Sequence, residues 1–158
     1  MNCLKELKQH YGTAEGYALY RLVMEECFGL THTDILLGKD SQISEENQAR
    51  LLEITGRLLK NEPVQYVLGY AVFCGHKFAV RPGVLIPRPE TELLVQKALE
   101  LGRGMDGVAC PQVLDIGTGS GCIAISMALA GCHVTAMDIS EEALGIAPRL
   151  AHTEMIFL

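Results

Sequence analysis

Val113-Leu114-Asp115-Ile116-Gly117-Thr118-Gly119-Ser120-Gly121 is the stretch on which the reading of this chain turns. Four residues of β-prone, mostly apolar character run into a Gly-x-Gly-x-Gly turn, which predicts a strand that ends at a tight glycine loop. Cys122 to Ala130 follows as a small-residue helix closed by Gly131. His133-Val134-Thr135-Ala136-Met137-Asp138 is a second strand, and Ser140-Glu141-Glu142 caps and starts a further helix. Met155-Ile156-Phe157-Leu158 reads as the opening of a third strand. Strands that alternate with helices point to an α/β fold built on a parallel sheet.

The same stretch carries the chemistry. Glycines let backbone N–H groups approach a ligand closely, and the helix that follows adds a positive end. Asp138 closes the next strand about 20 residues on, the spacing at which an acid reads ribose hydroxyls. The competing reading is that Asp138 only caps the next helix. A dinucleotide fingerprint needs G-x-G-x-x-G, but the sixth position here is Cys122 and the third glycine comes one residue early, at Gly121. Asp115, at the end of the first strand, suits a ligand with a cationic end better than a pyrophosphate. S-adenosyl-L-methionine has a ribose, an α-ammonium and a sulfonium, and no phosphate, so the pattern favours it over a nicotinamide cofactor.

Upstream, the first sixty residues read as helices. Leu4, Leu7 and Tyr11 fall at helical spacing, and Tyr17, Tyr20, Val23, Met24, Cys27 and Phe28 form a second stripe ended by Gly29. Thr31 or Thr33 caps a short helix through Ile35 to Leu37. Ser44 caps another, with Leu51, Leu52, Ile54, Leu58 and Leu59 on one face and Pro63 as its stop. Gln65 to Phe73 and Lys77 to Val80 are β-prone around Gly75 and read as a hairpin. Pro82, Pro87 and Pro89 make a stiff extended connector into a helix at about 90–102. A loop is expected over 102–111.

Composition narrows the classes. The 158 residues are 49% hydrophobic with a net charge of −6, enough apolar content for a core and a poor balance for phosphate-driven nucleic-acid binding. No apolar run approaches the roughly 18–20 residues of a membrane span, and the start of the chain lacks a signal-peptide core. Cys3, Cys27, Cys74, Cys110, Cys122 and Cys132 form no C-x-x-C pair. A metal site is therefore not expected, and the cysteines read as reduced thiols of a cytoplasmic protein.

Pro63-Val64-Gln65-Tyr66-Val67-Leu68-Gly69, Phe73, Phe78, the string Pro82-Gly83-Val84-Leu85-Ile86-Pro87-Arg88-Pro89-Glu90-Thr91-Glu92 and the glycine stretch above resemble the release-factor glutamine methyltransferases (the HemK family) over about residues 1–147. The resemblance implies an N-terminal helical domain over 1–62 that helps bind release factor and a β-hairpin and proline-rich linker over 63–89. It further implies the first part of a Rossmann-like class I methyltransferase domain over 90–158. It implies S-adenosyl-L-methionine as cofactor and methylation of the glutamine amide in the Gly-Gly-Gln loop of peptide-chain release factors. Gly117, Thr118, Gly119, Ser120 and Gly121 are then expected to wrap the methionine end, Asp138 to hold the ribose, and Asp115 to reach the ammonium. Arg88, Thr91 and Glu92 are expected to line or brace the pocket, against a plain capping role for Arg88 and Glu92.

Two departures from the family pattern shape the expectation. The catalytic Asn-Pro-Pro-Tyr is absent; the asparagines are Asn2, Asn47 and Asn61, and no Pro-Pro pair occurs. No catalytic residue is therefore assigned. Pro148 also interrupts the helix after Asp138, so the chain reads as a truncated member, or one altered near 148, inactive on its own. The alternatives are a noncatalytic fragment that binds release factor or cofactor only, and a relative of the adenine-N6 DNA methyltransferases, against which the acidic charge and the P-R-P-E-T-E string argue. The partner is expected to be a release factor, with no membrane and no direct nucleic acid.

Overall fold

The computed structural model describes residues 2–103, 111–146 and 153–157, which form two compact units, Met1–Leu68 and Gly69–Leu158.

The first unit is helical: α1 (Cys3–Tyr11), α2 (Thr13–Phe28), α3 (His32–Leu36), a 3-10 turn at Lys39–Gln42, α4 (Glu45–Leu58) and α5 (Val64–Leu68). Side chains close the starts of α1, α3 and α4. Asn2 Oδ1 accepts from the Lys5 N–H at 3.1 Å, and Ser44 Oγ accepts from the Asn47 N–H at 3.2 Å. Thr31 and Asp34 form a reciprocal capping box. Gly29 ends α2 in the left-handed conformation. Leu7, Tyr20, Val23, Met24, Ile35, Leu51, Ile54 and Leu58 make the core. The backbones of α1 and α2 approach closely at Gly16, where a Cβ would lie 2.5 Å from the carbonyl carbon and oxygen of Leu7.

Two expectations fail at the end of this unit. The stop of α4 is Asn61, not Pro63: Asn61 has φ 61°, its N–H donates to the Leu58 carbonyl at 2.7 Å, and the Glu62 N–H reaches the Arg57 carbonyl at 3.3 Å. Pro63 instead opens α5, its carbonyl accepting from the Tyr66 and Val67 N–H groups at 2.9 and 3.2 Å. Residues 65–68, expected as part of a strand, are therefore helical. Val64 and Val67, three residues apart, both pack on the first core, so burial overrides the β-preference of Val and Tyr. Arg57 braces this corner with a two-pronged bond to Glu62 at 2.8 and 2.6 Å and a bond to the Tyr66 carbonyl at 3.3 Å.

The second unit begins with an antiparallel hairpin, β1 (Tyr70–Phe73) and β2 (His76–Ala79), in which Phe73 faces His76. Cys74 at φ 48° and Gly75 at φ 77° form the two-residue turn with both residues left-handed. α6 (Pro89–Arg103), β3 (Gln112–Ile116), α7 (Cys122–Leu129), β4 (His133–Asp138), α8 (Glu141–Ile146) and β5 (Thr153–Phe157) follow. Pro89 sits at the first position of α6, where its missing N–H costs nothing. The second sheet is parallel, in the order β3-β4-β5. Phe73 and Phe78 of the hairpin join Val95 of α6, Ala124, Ile125, Met127 and Ala128 of α7, and Val134 and Ala136 of β4 in one core. On β3, alternate side chains face away from that core: Leu114 is 57% and Ile116 69% exposed.

The expected loop over 102–111 begins later, since α6 runs through Gly102 to Arg103; its residues 104–110 lie outside the described residues, as does Pro148. The structure groups the hairpin with the sheet rather than with a separate linker, and α5 with the helices.

Candidate functional site

β3 and β4 run parallel in register, Ile116 beside Met137, so both strands deliver their carboxyl ends to the same edge. In open parallel sheets that edge is where ligands bind. The glycine turn leaves β3 there and is fastened at once to β4. The Gly117 and Thr118 N–H groups both donate to the Met137 carbonyl, at 2.8 and 3.1 Å. The Gly119 N–H donates to Asp138 Oδ2 at 2.8 Å, and the Ser140 N–H donates to Asp138 Oδ1 at 2.9 Å. Asp138 thus ties the turn to the start of α8 and presents its carboxylate at the strand edge.

Gly119 and Gly121 show why glycine is needed. Their φ values are 57° and 76°, a region that side chains rarely adopt. A Cβ built at Gly117 or Gly119 would meet no atom of the chain within 4 Å, so the turn faces open space. The side chains of Thr118 and Ser120 point the other way and are buried. The Thr118 hydroxyl donates to Asp115 Oδ2 at 2.7 Å, which fixes the orientation of that carboxylate. What these two residues present to the open side is therefore main chain. Gly121 precedes α7, whose Ile125 N–H bonds the Gly121 carbonyl at 2.8 Å. The Cys122 thiol beside it is buried, and burial pushes its pKa up, so it is an inert packing group.

Of the sequence-based site residues, the structure brings together Asp115, Gly117, Thr118, Gly119, Ser120, Gly121 and Asp138. Glu92 is placed elsewhere. Its Oε1 accepts the Cys74 N–H at 2.9 Å, at the hairpin turn, beside a cavity of about 470 Å³ lined by Cys74, His76, Glu92 and Gln96 among others. Glu92 holds the strained turn rather than the glycine loop. Arg88 is exposed, and its carbonyl takes the Thr91 N–H at 3.0 Å as a capping turn. Among the described residues, no side-chain hydrogen bond or ion pair joins Arg88 or Thr91 to the glycine turn.

The sequence reading misses one element near the site. Arg81 Nε lies 3.2 Å from Glu142 Oε1, and Val84 is buried. The proline-rich connector is therefore clasped to α8, the helix that follows Asp138. Nothing local in the sequence pairs positions this far apart.

Similarity to known proteins agrees with this architecture. Residues 2–69 match the family model described as the PrmC N-terminal domain, and residues 113–157 match a methyltransferase domain. The release factor glutamine methyltransferase of Bacteroides thetaiotaomicron is 48% identical over 145 residues, 90% of this chain and 50% of the relative. That of Bordetella pertussis is 41% identical over 150 residues, 93% of this chain and 53% of the relative. That of Chlorobaculum tepidum is 40% identical over 134 residues, 82% of this chain and 46% of the relative. The chain spans about half the length of the curated relatives it matches. With a helical first unit, a parallel sheet that opens on a glycine turn, and likeness running through both, the chain is similar to release factor glutamine methyltransferases over about half of their length.

Proposed function

We propose that the turn over 117–121, with Asp138 and Asp115, binds S-adenosyl-L-methionine, and that the protein carrying this chain methylates the glutamine amide of the Gly-Gly-Gln loop of peptide-chain release factors in the cytoplasm. The observation that carries the cofactor reading is the Asp138 carboxylate, held at the carboxyl edge of two parallel strands and bonded to the Gly119 N–H at 2.8 Å. Each of its oxygens keeps a lone pair beyond its backbone bond, enough to accept from two ribose hydroxyls. The groups at the turn fit the ligand. They include two carboxylates, Asp115 and Asp138, which suit a cationic ligand without phosphate. Bound S-adenosyl-L-methionine supplies a methyl group activated by its sulfonium. The chain's own residues do the holding: Asp138 the ribose, the glycine main chain the methionine end, and Asp115 the ammonium, with its carboxylate turned by Thr118.

The acceptor side is different. An amide nitrogen is a poor nucleophile and needs positioning, which supplies roughly 7–11 kcal/mol of a barrier. The family's Asn-Pro-Pro-Tyr is not in this sequence. Asn2 caps α1 and Asn61 ends α4. Asn47 lies in the first turn of α4. The chain by itself is expected to hold the methyl donor and to transfer nothing.

Calorimetric titration with S-adenosyl-L-methionine tests the reading. Asp138→Ala is expected to weaken binding by about 1–3 kcal/mol, the cost of unpaired polar groups. Gly119→Val is expected to abolish it. Unchanged affinity in either variant, or no binding by the wild-type chain, removes the cofactor assignment. Radiolabel transfer to a release factor is expected to be undetectable; clear turnover means that the acceptor is positioned by groups already in this chain.

A further inference from the structure

The first unit contains a cavity of about 430 Å³, lined by Leu4, Tyr20, Asp40, Ile43, Leu51 and Leu52 among others. That volume falls within the roughly 300–1,000 Å³ of small-ligand sites. Its lining mixes aliphatic side chains with polar ones, several of them bonded within the unit. Asn2 Oδ1 accepts from the Lys5 N–H at 3.1 Å, Ser41 donates to the Gly38 carbonyl at 2.6 Å, and Gln48 Nε2 donates to the Ile43 carbonyl at 3.0 Å. Asp40 is the carboxylate of the lining. Its Oδ2 accepts the Tyr20 hydroxyl at 2.8 Å, while its Oδ1 has no protein donor among the described residues. The adjacent Lys39 is committed to Asp34 at 2.6 Å. Burial and the neighbouring carboxylate push the Tyr20 hydroxyl well above its ordinary pKa, so it remains a donor and holds Asp40 in one orientation.

We propose that this cavity is a docking site for a basic side chain, arginine above all, presented by a protein partner. Leucine and isoleucine side chains near a half-buried, oriented carboxylate match a side chain with an apolar stem and a cationic head. Arginine fits better than lysine because its fixed fork meets a carboxylate edge, and it is less strongly hydrated. A protein is favoured over a free metabolite because exposed apolar side chains lie close to Asp40 along the chain. Leu36 and Leu37, 70% and 67% exposed, come just before the turn that carries Asp40. Exposed leucines beside a recessed charge form the apolar and polar parts of a recognition patch. The site lies wholly in the first unit and is independent of the cofactor reading.

The test is an NMR titration of the full chain, observing the methyls of Ile43, Leu51 and Leu52. The probes are Nα-acetyl-L-arginine amide, the neutral Nα-acetyl-L-norleucine amide, and the amidated peptide Leu-Arg-Leu. Saturable shifts are expected with the arginine probe, with the norleucine probe at least tenfold weaker. Asp40→Asn, which keeps an acceptor for Tyr20, is expected to lower arginine affinity at least tenfold. The tripeptide is expected to bind tighter than the single residue, and Leu36→Ser with Leu37→Ser to erase that gain. No saturable shift, or equal binding by the norleucine probe or by Asp40→Asn, overturns the site. A tripeptide no tighter than the single residue overturns the protein partner in favour of a free cation.

Discussion

The two units solve the burial problem differently. In the first, side chains or a left-handed glycine close the main helix ends, and the apolar faces of α1, α2 and α4 meet in one core. In the second, one face of the β3-β4-β5 sheet is covered by α7 while Leu114 and Ile116 of β3 stand open, as do Leu93, Leu94 and Leu101 of α6. Parallel sheets are normally covered on both faces. Among the described residues, the helical unit leaves Leu36, Leu37 and Leu52 open, and the sheet unit leaves a larger apolar share open, on β3 and on α6.

That contrast can be broken by experiment. Phe73→Ala removes a fully buried ring from the sheet unit and is expected to cost about 3–5 kcal/mol. Hydrogen exchange read by NMR is expected to lose protection over the sheet and keep it over α1 to α4. Loss in both regions would make them a single cooperative body and end the comparison. Gly16→Ala addresses the other side. Helix propensity alone would favour alanine by about 1 kcal/mol, but the Leu7 carbonyl stands 2.5 Å from the new Cβ. A net loss of about 1–3 kcal/mol is expected in urea denaturation; a gain would mean that α1 and α2 yield easily. Ser44→Ala removes the α4 cap and is expected to cost about 1 kcal/mol, again confined to the first unit.

Acid sharpens the contrast further. Lys39 and Thr31 hold the Asp34 carboxyl down to about 2, and Arg57 holds Glu62 below its usual range. Folded values below unfolded ones give stability that is present above the unfolded pKa and lost as pH falls through the folded one. Protection in α3 and α4 is therefore expected to be level near neutrality and to decline from about pH 4 toward pH 2, the interval between the ordinary carboxylate values and the lowered ones. A first unit indifferent to that interval would deny these pairs any part in its stability. The smallest effect on folding is expected from Leu114→Thr with Ile116→Thr, within about 0.5 kcal/mol for open positions. Light scattering is expected to show less self-association; an unchanged signal would mean that this face is not adhesive.

Much of this architecture was legible in the residues because it is local. Ser44, Gly29 and the glycine turn announce themselves by type and spacing, and Asp138 follows from its distance to Gly117. The failures come where long-range burial decides. Val64 to Leu68 is made of strand-formers, yet Val64 and Val67 pack on a core assembled from α1, α2 and α4. Glu92 belongs to a string that reads as one functional unit, but a hairpin turn 18 residues upstream has an unfilled N–H, and the carboxylate goes there. The Arg81–Glu142 clasp joins positions with no local relation at all. Spacing reports neighbours along the chain; partners across the fold are set by packing.

The crossing at Gly16 also limits how this chain can change over generations. Every single-nucleotide change in a glycine codon that alters the residue, short of a stop, adds a Cβ, and here each such atom meets the backbone of the neighbouring helix. There is no gentle first step away from this residue. A lineage that replaces it needs a compensating shift of α1 already in place, so drift elsewhere in the first unit should proceed around a position that is, in mutational terms, a dead end.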